Sequence, residues 1–220
     1  MSTAVKTKQT SVTFPFKLPE IPPLEPGERL SRNEFERRYA AMPHLKKAEL
    51  IEGVVYMPSP VHLISHSQPH AQIITWLGVY CAANADIILG DNATVRLDAD
   101  NEVQPDALLR WDESKGGRSR ITDDDYLEGP PELIVEIAAS SASYDLYEKK
   151  TVYRRNGVQE YVVWRIYDGR LDWFYLDEGI YKELTPDENG IITSRVFPGL
   201  RLDVSALLQN DMAAVLQALE

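Results

Sequence analysis

Apolar and polar residues alternate along the chain in a pattern of many short strands and few helices. Ser31, followed three residues later by Glu34, has the form of a capping box and predicts a helix over residues 32 to about 41, stopped by Pro43. Residues 50–57 read as one strand with Gly53 at a bulge. Ser67 is a second N-cap candidate, Pro69 suits a first helical turn, and Ile73, Ile74, Leu77 and Cys81 recur at helical spacing. Strands are expected at 87–89, 94–97, 104–109 and 133–138. A helix from about 143 to 156 follows, with Gly157 just past its end. Three strands come next, at 160–166, 171–176 and 181–184, the first two joined by an Asp168-Gly169 turn. A helix at roughly 204–219 closes the chain. The acidic stretch 112–131 is long enough for a lid or a partner contact. Residues 1–28, rich in Pro, Lys and Thr, read as an extended arm, and 29–220 as one folded domain. Hairpins together with one strand–helix–strand unit over 133–164 place the chain in the α+β class, α/β-like, with a mixed sheet.

Composition sharpens this only in part. With 44% hydrophobic and 26% charged residues in 220, the chain is an ordinary globular sequence. It has no run approaching the roughly 20 apolar residues of a membrane span and no secretory-type N-terminal apolar core, so a cytoplasmic location is expected. The single cysteine, Cys81, excludes an internal disulfide and reads as a buried, inert thiol. The net charge of −11 argues against a sequence-independent nucleic-acid binder. It leaves open an enzyme that engages phosphate through a metal and a local basic patch.

The candidate chemistry centres on Glu136, a carboxylate inside the apolar run Leu133-Ile134-Val135-Glu136-Ile137-Ala138. Burying it is costly unless something compensates its charge. Asp106 stands in a second apolar run, Gln104-Pro105-Asp106-Ala107-Leu108-Leu109. Strand alternation puts Gln104, Asp106 and Leu108 on one face, and Ile134, Glu136 and Ala138 on one face of the other strand. If the strands are neighbours, the two acids can share a divalent cation, and all-oxygen ligation suits magnesium and phosphate hydrolysis. Two unrelated acids, one paired with arginine and one at a strand edge, fit the same spacing. Asp145, Lys149 and Tyr153 share a helix face, where Lys149 either overlies the strand bearing Glu136 or forms only a surface pair with Asp145. Lys149, Lys150, Arg154 and Arg155 form a local basic cluster, suited to phosphate or simply to solvent. His62, His66 and His70 are four apart, but a helix carrying all three would hold Pro69 in its interior at about 3 kcal/mol, which argues against a three-histidine zinc site. His66 or His70 at the mouth of the acidic site is the reading that survives. Trp164, Trp173, Phe174 and Tyr175 read as core or dimer surface rather than base-stacking platforms.

Several segments in order carry a resemblance: Glu49-Leu50-Ile51-Glu52-Gly53, Met57-Pro58-Ser59-Pro60, Gln104-Pro105-Asp106, Pro131-Glu132-Leu133-Ile134-Val135-Glu136-Ile137, Asp145-x-x-x-Lys149-x-x-x-Tyr153 and Gly157-Val158-Gln159-Glu160-Tyr161. Over about residues 30 to 205 the chain resembles the Uma-two family of restriction-endonuclease-like proteins, a bacterial branch of the PD-(D/E)XK nuclease superfamily. The resemblance implies a restriction-endonuclease-like mixed β-sheet flanked by helices. It also implies hydrolysis of DNA phosphodiesters with magnesium, or manganese, as cofactor. It makes Asp106 and Glu136 the metal ligands and Glu49 a further acidic residue of the site. The wider superfamily carries a lysine two residues after the second acid, where this chain has Ala138. The resemblance gives that role to Lys149 on the following helix, with Gln159 a weaker candidate. A homodimer is expected, because cutting both strands of a duplex is simplest with two sites, and the N-terminal arm is a candidate for the contact. Two other readings keep the fold: a catalytically inactive interaction protein, favoured by Ala138 and the negative charge, and a hydrolase of small phosphate esters.

Overall fold

The computed structural model describes residues 20–58, 60–139 and 141–219. The elements are α1 (Arg32–Ala40), β1 (Glu49–Ile51), β2 (Val54–Tyr56), α2 (Gln68–Ala83), β3 (Ile87–Asp91), β4 (Val95–Asp98), β5 (Asn101–Val103), β6 (Ala107–Trp111), β7 (Arg120–Ile121), β8 (Leu127–Glu128) and β9 (Leu133–Ala138). They continue with α3 (Ala142–Tyr144), α4 (Lys150–Asn156), β10 (Glu160–Arg165), β11 (Arg170–Asp177), β12 (Ile180–Glu183), β13 (Ile191–Thr193), β14 (Arg201–Asp203), α5 (Val204–Leu208) and α6 (Met212–Gln217). The class is α+β, with the strands in two six-stranded sheets and one small pair.

The first sheet has the order β2-β1-β5-β4-β8-β7 and the second β12-β11-β10-β9-β6-β3. The second is mixed: β9 and β10 run parallel, joined by the helical crossover 142–156, while β6 pairs antiparallel with β9. Every residue of β9 is buried, because both faces of that sheet are covered. Leu133, Val135 and Ile137 pack with Ile73, Trp76 and Leu77 of α2 and with Phe197, Leu202 and Leu207 of the C-terminal region. Ile134 and Ala138 face the other way, against Ile51, Val95 and Val103 of the first sheet and Tyr153 of α4. Phe35 of α1 joins Leu24, Leu50 and Val55 in a smaller layer.

Several local expectations are corrected. The expected strand 50–57 is a hairpin, β1–β2, turning on Glu52 (φ 52°) and Gly53 (φ 70°), two adjacent left-handed residues of the kind a tight hairpin requires. The expected strand 104–109 is cut at Pro105: β5 ends at Val103 in the first sheet and β6 begins at Ala107 in the second. Ser31 holds the N-cap position without a side-chain capping bond, and the Glu34 carboxylate, the other half of the expected capping box, is taken by Arg37 and Arg38. Segment 112–131 is folded as a short 3-10 turn, β7 and β8, and is tied down by the buried Glu132, which accepts from the N–H groups of Trp111 and Arg118, each at 2.9 Å. The C-terminal helix is two helices broken at Asn210 (φ 60°), with Asp211 capping the second. Of the expected arm, 1–19 lies outside the described residues. Residues 20–28 place Leu24 in the core, and the Gly27 N–H donates to the Val55 carbonyl at 2.8 Å. Among the described residues no helix is long and apolar enough to cross a membrane.

Candidate active site

The break at Gln104-Pro105-Asp106 carries the chain from the first sheet to the second, and this crossover builds the site. Ala107 pairs with Val135, so Asp106 stands one step further on, level with Glu136. Its Oδ2 accepts from the Ile137 N–H at 2.7 Å. Glu136 points from β9 toward the first sheet. Glu49, at the start of β1 there, accepts from the Gln104 N–H at 2.8 Å. Lys149 arrives from the crossover helix, where residues Asp145–Lys149 form a π-type turn, a feature frequent at functional sites. The displaced carbonyl of Asp145 accepts from the Tyr161 hydroxyl at 3.0 Å.

Lys149 Nζ lies 2.9 Å from Glu136 Oε1, 3.1 Å from Glu49 Oε1 and 3.9 Å from Asp145 Oδ1. The Tyr153 hydroxyl donates to the same Glu136 oxygen at 2.8 Å. Asp106 has its own neighbours: Lys47 Nζ at 3.8 Å from Oδ1 and His66 Nε2 at 3.4 Å from Oδ2. His70 Nε2 lies 2.8 Å from the Asp106 carbonyl and 3.1 Å from Asp91 Oδ1. The four residues singled out in the sequence, Asp106, Glu136, Glu49 and Lys149, therefore occupy one buried cluster between the sheets. Each is 3–5% exposed, while their neighbours Lys47 and His66 are partly exposed. A groove of about 590 Å³ beside α1 reaches Gln104 but not the acids themselves.

The charges are out of balance. Four carboxylates (Glu49, Asp106, Glu136, Asp145) face two lysines, Lys47 and Lys149. Burial pushes the Glu136 carboxyl up to about 8; Lys149 opposes this, and the charges of Asp145, Asp106 and Glu49 add to it. Burial would also raise Asp106, but His66, Lys47 and the Ile137 N–H outweigh it and hold that carboxyl down at about 2. Burial disfavours charge on Lys149 too, yet Glu136, Glu49 and Asp145 raise its pKa well above the usual lysine value, so it stays cationic.

One oxygen each of Glu136 and Glu49 is engaged; the second oxygen of each, and Asp106 Oδ1, accept no hydrogen bond among the described residues. Among the described residues no three His, Cys, Asp or Glu side chains stand ready as a complete metal cage. Two carboxylates with water and phosphate oxygens are what magnesium characteristically takes. Two other buried acids show the contrast. Glu132 and Glu160 each accept bonds from backbone N–H groups, Glu160 from Arg195 at 2.6 Å and also from Ser194 Oγ at 2.7 Å, and serve as structural ties.

The other candidates are placed elsewhere. The expected basic patch is dispersed: Lys149 is buried, Lys150 lies 3.3 Å over the Phe174 ring, Arg154 donates to the Gly179 carbonyl, and Arg155 pairs with Glu52 and Asp98. Gln159 pairs through its carbonyl with Leu176, and its side chain makes no hydrogen bond among the described residues. Trp164, Trp173 and Phe174 are core. His62 stands apart, while the His66 and His70 rings lie 6.0 Å from each other. Burial raises the Cys81 thiol to about 11, in keeping with an inert residue. Lys47 was missed as a site residue. Its only signal is its place two residues before Glu49, which suits a shared face.

The overall fold is similar to one already seen in a crystal structure. That protein, from Anabaena variabilis, is described as "a putative nuclease belonging to DUF820". It is 12% identical, with a TM-score of 0.58 over 84% of this chain and 98% of its own. At that identity the likeness is one of fold. The family is set by a separate match: Uma2, described as "Putative restriction endonuclease", matches residues 32–205, and the chain belongs to that family. No curated protein matches it.

Proposed function

We propose that the protein is a metal-dependent DNA endonuclease of the PD-(D/E)XK type, with Asp106 and Glu136 holding magnesium or manganese. The observation that carries this reading is Lys149. It reaches Glu136 at 2.9 Å from the crossover helix, on the sheet face where Ala138 offers no lysine. A bound divalent cation would polarise the phosphoryl oxygen and lower the pKa of an attacking water. The chain's own groups prepare for that. The Ile137 N–H fixes Asp106, Tyr153 fixes Glu136, and the Gln104 N–H fixes Glu49, so the oxygens left free are held in place. Lys149, cationic at any working pH, supplies fixed positive charge where charge builds on the phosphate and helps place the water; Glu49 completes the acidic wall. DNA as substrate rests on the family. A homodimer would present two such sites to the two strands.

The test is nicking of supercoiled plasmid with magnesium or manganese. Asp106→Ala and Glu136→Ala should each lose at least about 100-fold in rate; variants as active as the wild type would refute the assignment. The net charge of −11 favours a second reading, hydrolysis of small phosphate esters, since a duplex is repelled by such a surface. Turnover of bis(4-nitrophenyl) phosphate without cleavage of duplex DNA would select it. Calorimetry showing no magnesium binding would select the inactive interaction protein.

A further inference from the structure

We infer that Lys47 is a substrate-binding residue of this site, the cation that receives a phosphodiester on the Asp106 side; the inference rests on the nuclease reading above. Among the described residues two lysines touch the acidic cluster, and they differ in kind. Lys149 has a side chain only 5% exposed and is held by three carboxylates at 2.9 to 3.9 Å. It cannot turn to a ligand without stranding buried charge. Lys47 has a side chain 24% exposed and one carboxylate neighbour, Asp106, at 3.8 Å, beyond hydrogen-bond length. A flexible ammonium can exchange that loose contact for phosphate oxygens at little loss.

The local chain geometry aims it there. Ala48 is buried in the layer beneath α1, while its neighbours Lys47 and Glu49 both reach the acidic cluster. His66, 26% exposed, stands 3.4 Å from the other carboxylate oxygen, Oδ2. A phosphate brought to Asp106 Oδ1 therefore has Lys47 as the cation beside that oxygen, with His66 beside Oδ2. The basic residues of the crossover helix are engaged with Phe174, Gly179, Glu52 and Asp98, which leaves Lys47 as their replacement at the mouth of a site on an acidic protein.

The test compares wild type, Lys47→Ala and Lys47→Arg in two assays. Binding of a duplex oligonucleotide is followed across a salt series with calcium in place of magnesium, and cleavage kinetics are measured with magnesium. One lost phosphate contact corresponds to a salt slope shallower by about 0.9 and to roughly eightfold weaker binding at 0.1 M salt. Lys47→Ala should show both, with KM raised by a similar factor and kcat within about threefold; Lys47→Arg should recover most of the affinity. Unchanged affinity and slope, or a loss confined to kcat, or no recovery with arginine, would overturn the role of Lys47 while leaving the nuclease intact. A wild type that neither binds nor cuts DNA overturns both, and does so before any variant is compared.

Discussion

Replacing Glu136 with glutamine should stabilise the metal-free protein while abolishing its activity. The neutral amide keeps an oxygen to accept from Lys149 and Tyr153, now at 2.9 and 2.8 Å, and removes one negative charge from a cluster that has four. The sign follows from the pKa. Burial raises the folded carboxyl to about 8, above the value of about 4.3 in an unfolded chain. The associated stability is therefore complete below about pH 4.3 and is lost as pH rises through about 8. The whole interval corresponds to about 5 kcal/mol as an upper bound. Coupling to the neighbouring charges reduces this to about 1–3 kcal/mol, or a melting temperature higher by about 2–12 °C at pH 8.5 for a chain of this size. At pH 4 the variant and the wild type should melt together. The assay is thermal unfolding by circular dichroism in chelator at both pH values. A glutamine variant less stable than wild type at pH 8.5, or one shifted equally at both pH values, would refute this reading of the cluster.

Lys149→Met removes the lysine that bonds both Glu49 and Glu136, and should cost about 3–5 kcal/mol in thermal unfolding at pH 8, with a smaller loss at pH 5 where Glu136 is protonated. Tyr153→Phe deletes one donor to Glu136; it should destabilise by about 1–2 kcal/mol and move the acidic limb of the activity–pH profile upward, because the ionised carboxylate loses a hydrogen bond. Glu132→Ala leaves the Trp111 and Arg118 N–H groups without their acceptor, so limited proteolysis within 112–131 should accelerate along with a loss of about 2–4 kcal/mol. Magnesium should raise the wild-type melting temperature more at pH 8 than at pH 5 and leave Glu136→Gln unmoved, as read by calorimetric scanning.

How much of this was legible depended on the reach of each signal. Asp106 and Glu136 were readable as a pair because each lies in an apolar strand whose alternation fixes its face, and β6 and β9 are indeed neighbours. Lys149 and Tyr153 were readable as a helix face, although the π-type turn that ends at Lys149 left no trace, since hydrogen-bond offset has no compositional mark. The division into two sheets was hidden by Gln104-Pro105-Asp106, whose residues read as one more stretch of strand. Only the partners show that Val103 and Ala107 belong to different sheets. Gly53 reads in the sequence as a bulge rather than a hairpin turn, because two left-handed residues in a row, Glu52 and Gly53, are visible only in the backbone. Lys47 meets Asp106 at a loose 3.8 Å across a long stretch of chain, and the sequence marks it only by its place two residues before Glu49. The basic helix face misled for the opposite reason: its residues are clustered in sequence and dispersed by their partners.

The most direct test is a crystal of the wild-type protein grown with manganese. The predicted result is an anomalous peak bonded to Asp106 and to Glu136 at about 2.0–2.3 Å, absent from crystals of Glu136→Gln. No peak at saturating manganese, or a peak elsewhere with those two carboxylates still bound only to their protein neighbours, would contradict a metal-centred site.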